Sequence, residues 1–153
     1  TVGTSTDMGF DGFVKNIPLY PPTREAFFGT GKGSSTFSLI ELNTFNQMQV
    51  ENRSDGNILY ELLTYPDGLY TSSRESNIRF NLEIDGTQVS ARNTNSGSLS
   101  NSPDFILARS QNGAITHPSS VTVSTYLRYK PSGFNLSSFN TAIRNYLGVW
   151  YNQ

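Results

Sequence analysis

Residues 68–91 read GLYTSSRESNIRFNLEIDGTQVSA. Within them Ile78, Phe80, Leu82 and Ile84 alternate with Arg79, Asn81 and Glu83, the period-2 pattern of a strand with one buried face. Asp85-Gly86 interrupts the alternation. A two-residue hairpin turn needs residues that tolerate positive φ, and this dipeptide supplies them. Thr87 and Val89 then resume a strand-like run. The rest of the chain reads as strands built outward from this hairpin.

The 153 residues fit one domain, enough to bury about two-thirds of the unfolded surface. Hydrophobic content is 35%, low for a large helical core, although aromatics reach 12%. Charged residues make up 15%, and Ser, Thr, Asn and Gly are abundant. That balance suits β-rich extracellular or virion proteins better than cytosolic helical enzymes. The net charge of −1 and the scattered basic residues leave no electrostatic footprint for nucleic acid. Cysteine is absent, which removes disulfides, thiolate metal sites and a cysteine nucleophile together. No run approaches the ~20 apolar residues of a membrane helix, so no membrane partner is expected. The opening TVGTSTDMGF shows neither an initiator Met nor the basic and apolar regions of a signal peptide. A processed form, or a fragment of a longer polypeptide, is the expectation.

Residues 1–24 read as an N-terminal arm and first edge strand closed by Pro21-Pro22, and residues 25–153 as the main body of a single domain. Ala26-Phe27-Phe28 begins a strand that Gly29-Thr30-Gly31-Lys32-Gly33-Ser34-Ser35 is expected to stop. Lys32 sits at the wrong spacing for a phosphate-cradling loop, so the run reads as a strand connection. Further strands are expected over 36–42, 46–50 and 58–63, with turns at 53–57 and at Tyr65-Pro66-Asp67-Gly68. A polar connection over 93–104 leads to an apolar strand over 105–108. Val121, Val123, Thr125, Leu127 and Tyr129 alternate through a last strand. Strands recurring every 8 to 12 residues, with no crossover helices, argue for an antiparallel β-sandwich of jelly-roll type. Apolar residues at 139, 142, 143, 146 and 147 add one short C-terminal helix, with Ser137 as N-cap and Gly148 at its end. Phe139, Ile143, Leu147 and Trp150 are assigned to the core.

The order of these features resembles the concanavalin A-like, laminin-G-like jelly-roll domains of phage structural proteins and bacterial surface proteins. The residues that carry the resemblance are Gly68-Leu69-Tyr70-Thr71-Ser72-Ser73-Arg74, then Ile84-Asp85-Gly86, then Phe105-Ile106-Leu107-Ala108-Arg109 through Gly113, and finally Ala142 through Gly148. It spans roughly residues 25 to 150. It implies the sandwich fold and a place among lectin-like modules, adhesins and structural virion domains. No sugar-site signature of that family transfers to a residue here, and the clustered Asp/Asn set of the legume-lectin calcium site is missing.

Three chemistries can be weighed on the residues. Glu83 and Asp85 share one strand face, as in a glycosidase group of this fold, but Thr87 and Gln88 stand where its third carboxylate belongs. His117, the single histidine, reads as an exposed loop residue without a nucleophile elbow or a metal-ligand cluster around it. No cofactor, metal or catalytic residue is therefore expected, and the chain reads as a non-enzyme. Aromatic rings stack on sugar C–H faces, and Asn, Asp and Arg hydrogen-bond to hydroxyls. The residues expected to meet such a ligand lie in loops: Tyr65 and Asp67 in one turn, Tyr70 and Arg74 near the hairpin, and Asn93 and Asn95 in the long connection.

The reading that follows is a structural or adhesion module of a virion, such as a phage head-fibre, decoration or tail-appendage domain, located in the virion or on an extracellular surface. Its expected partners are other virion or appendage proteins, a host-surface glycan and further copies of itself, with no nucleic acid. Two alternatives stand beside it, the projecting domain of a small non-enveloped virus capsid and, disfavoured, a glycoside-active enzyme.

Overall fold

The computed structural model describes residues 8–32, 36–54, 56–76, 78–97, 104–111, 114–129 and 135–151. Twelve strands and one helix are assigned within them: β1 (Met8–Lys15), β2 (Glu25–Lys32), β3 (Thr36–Leu42), β4 (Gln47–Ser54), β5 (Ile58–Glu61), β6 (Gly68–Ser76), β7 (Arg79–Ile84), β8 (Thr87–Asn93), β9 (Phe105–Ile106), β10 (Arg109–Gln111), β11 (Ala114–Thr116), β12 (Thr122–Tyr129) and α1 (Leu136–Tyr151). The strands form two sheets. One runs β12-β1-β6-β7-β8; the other runs β11-β10-β2-β3-β4-β5, with β9 also paired to β2. Every pairing is antiparallel except a short parallel contact of β10 with β2. The expected antiparallel β-sandwich with a C-terminal helix is the observed fold.

Alternation decides which side chains fill the space between the sheets. The first sheet turns Phe10, Val14, Tyr70, Phe80, Leu82 and Ile84 inward, and the second answers with Phe28, Ile40, Leu42, Met48 and Val50. Phe10 meets Phe28 edge-on at 5.9 Å, and Phe27 meets Tyr70 in the same way at 6.1 Å, the arrangement that aromatic quadrupoles favour. Gly12 leaves the room this requires, since a Cβ there would lie 2.5 Å from the Phe28 ring.

The Asp85-Gly86 hairpin is present as read. Ile84 pairs with Thr87, and the two turn residues have φ of 51° and 77°. Asp85 does more than turn the chain. Its N–H donates to the Leu69 carbonyl at 2.9 Å and its Oδ1 accepts from the Leu69 N–H at 3.0 Å, pinning the tip to β6.

Several boundaries differ from the sequence reading. β1 is not an edge; it lies between β12 and β6. Gly29, Thr30, Gly31 and Lys32 continue β2 and pair with β3, because Gly29 lets the Leu39 side chain cross it. Ile78 lies in the turn before β7 and is exposed. The 105–108 strand breaks at Leu107, whose φ of 63° reverses the chain so that β9 and β10 run in opposite senses along one edge of β2. The helix is capped by Asn135, whose Oδ1 accepts from Ser138 N at 2.9 Å, and it continues past Gly148. Phe139 and Ile143 are half-buried. The arm before Met8, residues 33–35, residues 98–103 and the core assignments of Leu147 and Trp150 lie outside the described residues.

Candidate functional site

β6 is buried on both faces from Gly68 to Arg74, and that settles the position of two of the six expected ligand residues, Tyr70 and Arg74. Its inward stripe is Tyr70, Ser72 and Arg74, since these pair with Gly12, Phe10 and Met8 of β1. Its outward stripe of Leu69, Thr71 and Ser73 is covered as well. Tyr70 is fully buried and its hydroxyl donates to the Pro66 carbonyl at 2.6 Å. Tyr65 is buried too; its hydroxyl donates toward the carbonyls of Asn46 and Tyr60 and accepts from Met48 N. Neither ring is presented to a ligand, because both complete the core under the loops that lead into β6.

Arg74 is likewise interior rather than loop-borne. Its Nε donates to Asn52 O at 2.8 Å, its Nη1 to Thr94 O at 3.0 Å, and its guanidinium lies 5.1 Å from the centre of the Phe80 ring. Burial, with the Arg53 guanidinium nearby, pushes it down to about 10. Asp67 is exposed, and its Oδ1 accepts from Asn16 N at 2.9 Å. Asp67 and Arg74 are separated by about 23 Å of extended strand, so the expected residues form two groups and not one site. Asn93 and Asn95 stay on the surface. Asn93 pairs with Arg79 across β7 and β8, and Asn95 lines a small cavity of about 260 Å³ with Thr94, Ser96 and Gly97.

A larger cavity, of about 530 Å³, lies over β6, β7 and β8. Ser73, Ser76, Arg79, Phe80, Asn81 and Gln88 line it. Ladder pairing brings Ser73 opposite Asn81 and Gln88 opposite Glu83, so residues distant in the chain share one outward face. The Asn81 amide is held as an oriented group. Its Oδ1 accepts from Ser73 N at 3.0 Å and Ser73 Oγ at 2.8 Å, and its Nδ2 donates to Glu83 Oε1 at 3.0 Å. Arg79 is exposed at the rim, with no hydrogen bond or ion pair among the described residues. The sequence did contain the signal for this face: Arg79, Asn81 and Glu83 are the polar half of the opening alternation. What the alternation does not carry is that β6 and β8 add Ser73 and Gln88 to it.

The two carboxylates weighed for glycoside chemistry have other partners, Glu83 with Asn81 and Asp85 with Leu69. His117 is not an exposed loop residue. It is half-buried, with Nδ1 3.0 Å from Glu41 Oε2, and Arg24 and Arg109 approach the same buried carboxylate at 2.8 and 3.6 Å. Nearby Glu51 is pushed up by burial, partly offset by the amide of Gln49. Among the described residues no group of His, Asp and Glu could hold a metal ion, and no helix is long and apolar enough to cross a membrane.

No family model matches the sequence, and no curated protein matches it. Among solved structures, the chain is similar to the CBM40 of the Ruminococcus gnavus IT-sialidase, with a TM-score of 0.56 at 10% identity over 81% of this chain and 76% of that one. It is also similar to a leech intramolecular trans-sialidase complexed with 2,7-anhydro-Neu5Ac, with a TM-score of 0.53 at 12% identity over 81% of this chain. The chain spans 21% of the leech protein. At such identities the likeness is one of fold, and the fold is the β-sandwich described above.

Proposed function

We propose that this chain is a glycan-binding module without catalytic activity, and that its site is the cavity over β6, β7 and β8. The observation that carries the reading is the lining: hydroxyls of Ser73 and Ser76, amides of Asn81 and Gln88, and the exposed guanidinium of Arg79. Hydroxyls and amides both donate and accept, which matches the alternating donors and acceptors of a sugar ring. The cavity volume falls within the range of roughly 300–1,000 Å³ typical of small-ligand sites. Arg79 selects for a sugar bearing a carboxylate, because a planar guanidinium receives that group through two parallel hydrogen bonds. Support for this ligand class comes from the two similar structures, a sialidase's CBM40 and a trans-sialidase holding an anhydro-Neu5Ac. Asn93, beside Arg79 on β8, extends the site along the edge strand. The setting we propose is a virion or cell-surface appendage, in keeping with the low charge and the many hydroxyl and amide side chains.

A glycan array that includes sialylated and uronate-bearing glycans tests the reading. Binding should concentrate on the acidic glycans and fall about tenfold or more in Arg79→Gln, the loss expected for one charge-assisted contact. Asn81→Ala should weaken acidic and neutral glycans alike. Absence of binding to any acidic glycan, or wild-type binding by both variants, would overturn it. Turnover of a bound glycan would overturn the non-enzymatic part alone.

A further inference from the structure

Ser73 and Asn81 face each other across β6 and β7, and the bonds between them fix the sense in which each can meet a ligand. The Ser73 N–H can only donate, so the atom that it meets at 3.0 Å is the Asn81 carbonyl oxygen and not the amide nitrogen. The same oxygen lies 2.8 Å from Ser73 Oγ. An amide oxygen carries no hydrogen, so the hydroxyl is the donor there, and its one hydrogen is committed inside the protein. Asn81 Nδ2 gives one of its two hydrogens to Glu83 Oε1 at 3.0 Å. The cavity therefore meets groups of fixed and opposite sense. Ser73 Oγ offers lone pairs alone, and among the described residues no group donates to it. Asn81 Nδ2 and the Arg79 guanidinium offer only hydrogens.

We propose that Ser73 makes the site specific for an acidic sugar with a free ring hydroxyl near its carboxylate, and that this hydroxyl donates to Ser73 Oγ. The inference rests on the acidic-glycan reading above and adds a second requirement to it. Arg79 and Asn81 lie two residues apart on β7, roughly 7 Å along the strand, and Asn81 stands opposite Ser73. Both requirements thus fall within reach of a single sugar residue, its carboxylate at Arg79 and its hydroxyl at Ser73. Ser73 is only 5% exposed, so the group that reaches it is small, and a hydroxyl fits where an acetamido group does not. An oxygen without a hydrogen, as in an O-methyl or O-acetyl derivative, sets lone pairs against lone pairs at this point. It could recruit the Ser73 hydrogen only by breaking the 2.8 Å bond to Asn81. A site group left unpaired by the wrong ligand discriminates more strongly than a loss of apolar contact does.

The test uses the full chain, with the methyl glycosides of glucuronic acid and N-acetylneuraminic acid as probes, each beside its monodeoxy analogues, in NMR titrations. In wild type, removing one ring hydroxyl near the carboxylate should weaken binding about tenfold, and the O-methyl derivative at that position should bind no better. Ser73→Ala should bind the parent sugar about tenfold more weakly and no longer distinguish it from that deoxy analogue, the signature of a direct contact in a double-mutant cycle. The Ser73 N–H still holds Asn81 Oδ1 in this variant, so the amide keeps its orientation. Equal affinity of wild type for the parent and every monodeoxy analogue overturns the inference and leaves the acidic-glycan reading standing. So does a hydroxyl preference that Ser73→Ala retains at every position. Binding of neither glycoside also overturns it, and the array above then decides whether the acidic-glycan reading falls with it. Should Ser73→Ala fail to fold, the wild-type series with the O-methyl derivative decides alone.

Discussion

Arg74 carries a charge into the interior with no carboxylate beside it among the described residues, and backbone carbonyls take the carboxylate's place. It ties β6 to β4 through Asn52 and to the chain after β8 through Thr94. Replacing it strands buried acceptors, so Arg74→Met should lower stability by about 3 kcal/mol or more in chemical denaturation. Arg74→Lys should recover little of that, since one ammonium lacks the planar fork that spans several carbonyls. Asp11 is the opposite case, an acid on the outward side of β1 whose Oδ2 has no partner among the described residues. Burial pushes it up to about 7. Its folded pKa lies above the unfolded one, so its contribution is fully present below about pH 4 and is lost as pH rises through 7. Asp11→Asn should match wild type at pH 4 and exceed it at pH 8 by up to about 4 kcal/mol, read from urea midpoints at the two pH values.

At the level of elements, the β7–β8 hairpin and α1 show what local chemistry can and cannot announce. Gly86 has a φ of 77°, where a side chain is strained. Gly86→Ala should cost about 1 kcal/mol in thermal or chemical melts without changing the fold. The helix has two good N-cap residue types two positions apart, and the bond to Ser138 N selects Asn135 over Ser137. Asn135→Ala should cost about 1 kcal/mol, whereas Ser137→Ala should stay within about 0.5 kcal/mol. Amide exchange in the first turn of α1 would separate the two. Nothing in the residue types distinguishes these caps, because Asn and Ser are both favoured at an N-cap.

For the molecule as a whole, the proposed glycan site sits over β6, β7 and β8, and the exposed apolar side chains of the loops around Asn46 stand on a separate surface. Phe45→Ser should therefore keep wild-type affinity for a soluble acidic glycan, whereas Arg79→Gln should lose about tenfold or more. Surface plasmon resonance with the two variants side by side reads the difference.

Alternation and turn chemistry by themselves determined the all-β class, the strands β2 to β5, β7, β8 and β12 in outline, and the Asp85-Gly86 hairpin. Those are local properties, set by side-chain period and by tolerance of positive φ. Only the tertiary structure decided which faces meet water. Tyr70, Ser72 and Arg74 alternate like an outward polar stripe, yet they point between the sheets, where Asn52 Nδ2 donates to Ser72 Oγ from the opposite side. Arg79, Asn81 and Glu83 alternate in the same way and remain outside. A period of two separates the faces of a strand without saying what covers each one, and only the packing of the second sheet decides that.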